Sequence, residues 1–374
     1  MHTEFPQRDD LIYLNHAAVG PWPRRTAQAV QQFAEQNYQQ GARDYPQWLH
    51  TEHALKAQLQ RLLNAPSIDD IALLKNTSEA LSVVAQGLSW QSGENVVICS
   101  QEFPSNRIVW ESLCVYGVKC RIVPVGPQTK DPEAELMSAV NERTRLLAVS
   151  SVQYANGLCM NLERLGAFCR KRGVLFCVDA IQSLGVLPFD AQAVNADFVV
   201  ADGHKWLLGP EGLAVFYCRA EQRTQLRLHQ FGWHMIERHD DFDRTDWSPA
   251  ESARRFECGS PNMLGIHALH ASLSLLEEIG LNTIATNVIN NSEYIIDNLR
   301  YYNSFELITP EQRGRYAGIV TFRSRKVESR RIYESLMAQG VVCALRGGGI
   351  RFSPHFYNQP AQLERAIKLA AAVV

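Results

Sequence analysis

The sequence predicts an α/β fold in which a large, mostly parallel sheet flanked by helices is joined to a smaller α+β domain. Two observations support this prediction. Between about residues 70 and 220, short apolar segments alternate with segments of helical periodicity, and that alternation is typical of parallel strands connected by helices. After about residue 255 the pattern changes to two long helical segments, three short strand-like segments and a final helix, which indicates an α+β unit.

In the large domain we expect strands at residues 95–99, 121–125, 146–152, 174–178, 197–200 and 213–217, with helices at 79–88, 106–115 and 162–172. The third helix is the best defined, because basic residues fill its last turn and Gly173 follows it. In the small domain we expect helices at 264–279 and 282–302, strands at 318–322, 341–345 and 350–352, and a helix from about residue 362.

The predicted domain boundaries follow from this change of pattern. Residues 26–255 are expected to form the large domain and residues 256–374 the small one, with residues 1–25 packing against the small domain. Ligands of open α/β sheets bind at the carboxyl ends of the strands, so the residues just after the predicted strands are the candidates for a site.

Charge and cysteine content limit the possible ligands and the compartment. The chain has 374 residues, with 37 basic against 39 acidic side chains, which favours neither nucleic acid nor an anionic membrane as a partner. We see no membrane-length apolar run and no leader-like N-terminus. The nine cysteines have no metal-binding spacing, and several of them (Cys99, Cys177 and Cys218) lie in apolar runs. We expect these to be buried thiols in a reducing compartment, and the protein to be cytoplasmic.

Lys205 is the most informative residue. It follows the strand predicted at 197–200 and precedes the glycine-containing turn that begins at Gly209. A lysine in a cleft at a strand end can be desolvated and kept partly neutral, as a Schiff-base lysine requires. The alternative is a solvated surface lysine.

Asp179 ends another apolar strand, 26 residues before Lys205. A carboxylate at a buried strand end needs a positive partner, although it could also cap the next helix. A second polar segment, Asn76-Thr77-Ser78-Glu79, has the pattern of a capping box. The same helix N-terminus, with the hydroxyls of Thr77 and Ser78, could equally bind a phosphate.

Three further features contain side chains that could contact a ligand or a metal. Phe103 follows a strand, where an aromatic ring could stack on a ligand or pack in the core. Arg351, just after three glycines, could bind a carboxylate through two hydrogen bonds or form a surface ion pair. The histidine pairs His50/His53 and His267/His270 have helical i,i+3 spacing but no third ligand, so no metal site is predicted.

Taken together, these motifs resemble the class V aminotransferase family of pyridoxal-phosphate (PLP) enzymes, over nearly the whole chain. The order of Asp179-Ala180-Ile181-Gln182 and Gly203-His204-Lys205 is the most specific part. The other matching segments are Tyr13-Leu14-Asn15-His16-Ala17-Ala18, Asn76-Thr77-Ser78-Glu79-Ala80, Phe256-Glu257-Cys258-Gly259-Ser260-Pro261-Asn262 and Arg351-Phe352-Ser353-Pro354-His355-Phe356-Tyr357-Asn358.

The resemblance implies the fold-type I architecture of PLP-dependent transferases and a homodimer with shared active sites, acting on a small amino acid. It implies Lys205 as the Schiff-base lysine and Asp179 on the ring nitrogen of PLP. It also implies further cofactor contacts from Thr77, Ser78, Phe103, Gln153, Gln182, His204 and, from the neighbouring subunit, Ser260, and substrate contacts from Arg351 and His16.

Two departures from the family pattern bear on the reaction. Cysteine desulfurases carry a cysteine in a mobile loop before the carboxylate-binding arginine, whereas here that stretch is Arg346-Gly347-Gly348-Gly349-Ile350, and Cys343 is expected in the core. A persulfide-forming desulfurase is therefore disfavoured. Asp202 stands where many members have Ser or Thr, and we expect its carboxylate to point away from the phosphate.

The expected reaction passes through an external aldimine and a carbanion at the substrate α-carbon. We favour a lyase that acts at the β-carbon of a cysteine-like amino acid. An aminotransferase, an epimerase or racemase, and a non-catalytic binding protein on the same scaffold remain alternatives.

Overall fold

The computed structural model describes residues 3–8 and 10–374. Thirteen strands are present within these residues: β1 (Ile12–Tyr13), β2 (Ile71–Leu74), β3 (Asn95–Cys99), β4 (Lys119–Val123), β5 (Thr144–Ser150), β6 (Leu175–Asp179), β7 (Phe198–Asp202), β8 (Ala214–Cys218), β9 (Phe305–Leu307), β10 (Val320–Ser324), β11 (Val341–Val342), β12 (Ala344–Arg346) and β13 (Gly349–Phe352). Among the same residues the α-helices are α1 (Arg24–Gln40), α2 (Tyr45–Leu63), α3 (Thr77–Gly87), α4 (Ser105–Glu111), α5 (Pro132–Ala139), α6 (Leu162–Arg172), α7 (Ala220–Arg223), α8 (Met263–Ile279), α9 (Leu281–Arg300), α10 (Ser329–Ala338) and α11 (Pro360–Ala371).

The large sheet has seven strands in the order β2-β8-β7-β6-β5-β3-β4. The five strands from β7 to β4 are mutually parallel, and β8 runs antiparallel to both of its neighbours. The predicted parallel sheet is therefore confirmed, with one reversed strand near its edge. The carboxyl ends of β6 and β7 consequently lie side by side.

Both faces of this sheet are buried, because successive side chains of a strand point to opposite faces. Leu147 and Val149 of β5 pack in one core with α2, α5, α6 and α8. Leu146 and Ala148 of the same strand pack in a second core with α3 and α4. This two-sided burial explains why the strands appear in the sequence as continuous apolar runs.

The small sheet is antiparallel, in the order β12-β13-β10-β9, and packs with α9, α10 and α11 around a third core. Near the N-terminus, β1 pairs with β11, and Asn15 bridges to Ser353. Helix α8 shares a core with α2, so packing continues across residue 255. The boundaries at residues 25 and 255 stay a prediction.

Several predicted elements differ in their bounds. The strand expected at 121–125 is β4, which starts two residues earlier, and the segment expected as one strand at 341–345 is divided into β11 and β12. The helix expected at 106–115 ends as α4 at Glu111 and continues as a 3₁₀ helix over Ser112–Tyr116. The elements that the sequence did not predict are helices α1, α2, α5, α7 and α10 and strands β1, β2 and β9.

None of the nine cysteines is in a disulfide, and all nine lie in the described part of the chain. Cys99, Cys177, Cys218 and Cys343 are buried, as predicted. Burial raises the pKa of the Cys343 thiol to about 12. Among the described helices, none is long and apolar enough to cross a bilayer.

Candidate active site

Lys205 and Asp179 lie at neighbouring strand ends. Asp179 is the last residue of β6 and pairs with Val200 of β7. Lys205 follows the end of β7 by three residues. Both side chains line one cavity of about 320 Å³, whose wall consists of Ala17, Ala18, Val19, Asn76, Thr77, Ser78, Phe103, Ser105, Tyr154, Asp179, Ile181, Gln182, Asp202, His204, Lys205, Glu211, Arg346 and Arg351.

The Lys205 side chain reaches the cavity from a buried turn, and the residue is only 9% exposed. Burial, opposed in part by the charge of Asp179, lowers the pKa of its amine to about 8. The backbone of this turn contacts Gly20, where a Cβ atom would lie 2.3 Å from the Lys205 carbonyl oxygen. A neutral, nucleophilic amine is therefore accessible at moderately alkaline pH.

Asp179 is fully buried beside this lysine. Burial raises the pKa of its carboxyl to about 7, while a hydrogen bond from the Ile181 N–H (3.1 Å) and the charge of Lys205 favour the ionised form. A carboxylate in such a place gains from any cationic group of a ligand that enters the cavity.

The N-terminus of α3 forms one wall of the cavity. Asn76 caps this helix by accepting a hydrogen bond from the Glu79 N–H (2.9 Å), and the Lys75 N–H donates to the Glu79 carboxylate. The predicted cap by Asn76 is thus present, but the capping box is not complete, because Glu79 accepts from the N–H of Lys75 and not from that of Asn76. Within the described residues, the hydroxyl of Thr77 has no hydrogen-bond partner although it is buried. Helix N-termini with free donors bind phosphate groups.

Asp202 and His204 adjoin this wall. Their closest atoms, Oδ1 of Asp202 and Nδ1 of His204, are 2.8 Å apart. The expectation that Asp202 points away is only partly met, because it still lines the cavity while its carboxylate is directed at His204. Pairing with an imidazole reduces the repulsion that this carboxylate would exert on a bound anion.

Phe103 and Gln182 lie close to the lysine. The Phe103 ring is 40% exposed, and its centroid is 5.5 Å from the Lys205 amine nitrogen. The Gln182 amide donates to the Ala17 carbonyl (3.0 Å) and accepts from the indole of Trp206 (2.8 Å). These bonds fix the amide, yet its second hydrogen and second lone pair stay available.

Gln153 is buried but does not belong to the cavity wall. Its amide nitrogen donates to Glu102 (2.8 Å), whereas its amide oxygen has no partner among residues 3–8 and 10–374. Glu102 also accepts from the side-chain amide of Asn106 (2.8 Å) and from the N–H of Ser150 (3.0 Å). The Glu102 network thus determines which end of the Gln153 amide is free.

Arg351 is an arginine buried to 98% that makes no ion pair with a described carboxylate. Its guanidinium donates to the Tyr154 carbonyl (2.7 Å) and to the side-chain oxygen of Asn15 (3.4 Å), and Nε has no partner. Burial, followed by the charge of Arg346, lowers its pKa to about 10. A buried cation without a counter-ion is costly, so an anionic ligand group would be strongly favoured there.

Besides Gln153, two predicted residues are not brought to the wall of this cavity. His16 is buried with both ring nitrogens engaged, at 2.8 Å from the Ser353 carbonyl and 2.7 Å from the Tyr357 hydroxyl. Burial lowers the pKa of His16 to about 4. Ser260 lines a separate cavity together with Lys75 and Cys258.

Sequence reasoning missed Tyr154, Glu211 and Arg346 in the cavity wall and Glu102 behind it. Tyr154 directly follows Gln153, and Arg346 opens the glycine run before Arg351, so their positions gave a usable signal. No signal in the sequence indicated the role of Glu102, because Ser150 and Gln153, which donate hydrogen bonds to it, are 48 and 51 residues away in the chain.

A buried cluster away from the cavity has metal-ligand chemistry. Glu52, His234 and Glu257 place ligand atoms within 4.8 Å of one another. The ammonium of Lys56 is 3.0 Å from Glu52 and 2.8 Å from Glu257, and so already occupies the cation position between these two carboxylates. Of the histidine pairs noted in the sequence, His267 and His270 bond to the Met263 carbonyl and to Gln58.

Comparisons with known proteins agree with this architecture. The family model described as Aminotransferase class-V matches residues 12–365. A probable cysteine desulfurase of Methanothermobacter thermautotrophicus is 29% identical, with 97% of this chain and 96% of that protein covered. A cysteine desulfurase of Escherichia coli K12 is 28% identical, with coverage of 96% and 89%. The solved structure of the cystine C–S lyase C-DES with its product cysteine persulfide superposes with a TM-score of 0.88 at 22% identity, covering 96% of this chain and 97% of that one.

A mostly parallel α/β sheet with a lysine and a carboxylate at adjacent strand ends defines a fold-type I PLP-dependent enzyme. The chain belongs to the class V aminotransferase family, because the family model covers nearly its whole length. The predicted fold and cofactor are confirmed. The residues present fit that cofactor, since the cavity offers a desolvated amine, a buried carboxylate and an unpartnered hydroxyl at a helix N-terminus.

Proposed function

We propose that this protein is a PLP-dependent lyase that acts at the β-carbon of a cysteine-like amino acid and releases the sulfur as a small molecule. The observation that carries the proposal is the wall of the cavity, which contains Lys205 and the unpaired Arg351 but no cysteine. A persulfide-forming enzyme needs a thiol that can reach the substrate sulfur. Here the cysteine nearest to Arg351 in the chain, Cys343, is buried in the core beneath the small sheet.

PLP, when bound, supplies an electron sink for the bond that breaks at the substrate α-carbon. In the proposed arrangement Lys205 would hold the cofactor, and its neutral amine would take the α-proton of the substrate. Asp179 pairs with the ring nitrogen and keeps it protonated. Thr77, Ser78, His204 and the N-terminus of α3 bind the phosphate, and Phe103 covers the ring.

Arg351 is proposed to bind the α-carboxylate of the substrate through two parallel hydrogen bonds. The planar guanidinium is already held by Tyr154 and Asn15, so little ordering is needed when the substrate arrives. Gln182 and Gln153 are proposed to contact the cofactor through the hydrogen-bonding positions that their protein partners leave free. His16 has no such position, and we propose that it supports the fold of the site through Ser353 and Tyr357.

We also propose a homodimer in the cytoplasm, with Ser260 reaching the phosphate of the neighbouring subunit. In its support, Ser260 lines a second cavity rather than its own Lys205 site. Exposed aromatic side chains lie on the segment before it, including Phe231, Phe242 and Trp247. Nine free thiols fit a reducing compartment.

A second candidate is cysteine desulfurase, which the names of the similar relatives favour. Product analysis of the holoenzyme with L-cysteine separates the two. We expect pyruvate, ammonium and sulfide in equal amounts. Alanine with sulfur retained on a protein cysteine would instead identify a desulfurase. Pyridoxamine phosphate with a keto acid that keeps its side chain would indicate transamination, and D-cysteine an epimerase. If the bound cofactor responds spectrally to no amino acid, the protein is a binding module.

A further inference from the structure

A second arginine faces the cavity from the same hairpin as Arg351. In this hairpin Arg346 pairs with Gly349 and Ala344 pairs with Arg351. Cross-strand partners and residues two apart on one strand share a face of the sheet. Arg346 and Arg351 therefore project from the same face of β12 and β13, and both line the wall.

The hairpin turn fixes this arrangement. It consists of Gly347 and Gly348, with φ of 59° and 78°, a left-handed conformation that glycine adopts without strain. A Cβ at Gly347 would lie 2.9 Å from the carbonyl oxygen of Ala155, next to the residue whose carbonyl binds Arg351. The tight turn thus holds Arg346 at the open side of the cavity.

The charges of this wall leave Arg346 without a partner. Its guanidinium donates only to the carbonyl of the adjacent Leu345 (2.9 Å), and it makes no ion pair with any carboxylate that the structure describes. Of the acidic side chains in the wall, Asp179 lies beside Lys205, Asp202 pairs with His204, and the exposed Glu211 pairs with neither arginine.

One α-carboxylate cannot neutralise both guanidinium groups. Arg351 is the buried one and is proposed to bind the α-carboxylate, whereas Arg346 is exposed at the cavity mouth, towards which the rest of a bound amino acid would extend. We propose that the preferred substrate carries a second anionic group on its side chain, and that Arg346 selects for it. This inference rests on the proposed function and narrows its substrate class to amino acids with an anionic sulfur leaving group.

S-sulfo-L-cysteine is a compound of this class for which the reaction balances without an added oxidant or reductant. The α-proton passes to Lys205, and the Cβ–S bond breaks with its electron pair on sulfur, so that thiosulfate leaves. Water then converts the three-carbon product to pyruvate and ammonium. The sulfonate remains on the departing sulfur throughout, within reach of the cavity mouth.

The first test measures binding and does not depend on cleavage. L-aspartate and L-asparagine have nearly the same shape and differ by one negative charge, and their binding to the holoenzyme can be followed by cofactor absorbance. We expect wild type to bind L-aspartate about tenfold more tightly, as an exposed charge-assisted contact allows. Arg346→Gln should abolish the preference, Arg346→Lys should restore part of it, and Arg330→Gln, an exposed arginine outside the cavity, should leave it unchanged. Equal affinities in wild type would overturn the proposal.

The second test compares S-sulfo-L-cysteine with S-methyl-L-cysteine, whose leaving group is neutral. Arg346→Gln should lower kcat/KM for the first about tenfold, mainly through KM, and change the second by less than twofold. An equal loss on both compounds would show a general structural role and overturn the assignment. If neither compound is cleaved while the charge preference in binding persists and depends on Arg346, the lyase reaction is wrong and the anion subsite stands.

Discussion

The indole N–H of Trp206 donates a hydrogen bond of 2.8 Å to the side-chain oxygen of Gln182. This bond joins the residue after Lys205 to the segment that follows Asp179, so the amine and the carboxylate are held by one buried unit. The Trp206 ring is fully buried and leaves no room for a side chain at Gly318, where a Cβ would lie 2.5 Å from it.

Substitution of Trp206 should therefore loosen this unit. Trp206→Phe removes the donor and leaves a buried acceptor and a small void, so we expect the free energy of unfolding to fall by about 2–3 kcal/mol. Trp22→Phe is a matched control, because its indole also donates to a carbonyl, that of Gly209 (3.1 Å), but the side chain is 42% exposed. Denaturant unfolding of the cofactor-free proteins measures both. Equal losses would show that the buried bond adds nothing.

Loading of the cofactor should depend on the ionisation of Lys205. Only the neutral amine attaches PLP, and burial lowers its pKa to about 8. Since the neutral fraction grows as pH rises through that value, we expect the loading rate to increase about fivefold from pH 7 to 8 and to level off above pH 9. Absorbance after rapid mixing of apoenzyme with PLP gives the rate, with Nα-acetyl-lysine as the reference amine. A midpoint near pH 10 would contradict the desolvated site, and Lys205→Ala should show no covalent attachment.

Arg351 should matter for substrate and not for stability. Arg351→Gln removes a buried, unpaired cation, so we expect amino-acid affinity to fall about 100-fold while the free energy of unfolding stays the same or rises. Arg315→Gln provides the contrast, because Arg315 forms two hydrogen bonds of 2.6 and 2.7 Å with the buried Glu133. That variant should lose about 2–3 kcal/mol of stability and keep its affinity. If Arg351→Gln instead lost stability and kept its amino-acid affinity, Arg351 would be shown to stabilise the fold and not to bind the substrate.

Two explanations of Asp202 predict opposite changes in PLP affinity when this residue is substituted. If its carboxylate merely repels the phosphate, Asp202→Ser should tighten PLP binding. We expect instead that the PLP dissociation constant rises about tenfold, because the carboxylate of Asp202 orients the ring of His204. Fluorescence titration of the apoenzyme measures the constant. In a His204→Gln background the same substitution should not weaken binding further, and a loss that persists there would exclude action through His204.

The sequence was most informative where chain order alone implies proximity. Asp179 and Lys205 were predicted to meet because each follows a strand of a parallel sheet, and adjacent strand ends must adjoin. Arg351, in contrast, lies on β13 of the small sheet and reaches the cavity through contacts that chain order does not imply. Its residue type suggested a carboxylate ligand, but only the resemblance put it in the same site as Lys205. The network of Glu102 with Ser150 and Gln153 could not be predicted, since it depends on three-dimensional side-chain placement. The bounds of β4 were misjudged because its residues are partly exposed and less apolar than those of its neighbours.

The two-glycine turn between β12 and β13 has a consequence for how the sulfur released by such an enzyme would reach an acceptor. A hairpin this short cannot extend away from the cavity. It also carries no cysteine that could transfer a sulfur atom from the cavity to a docked acceptor protein. The product of each turnover would have to diffuse away freely. The fate of the sulfur would then depend on the chemical properties of the released molecule and on the molecules that bind it in solution, without direct transfer between two proteins.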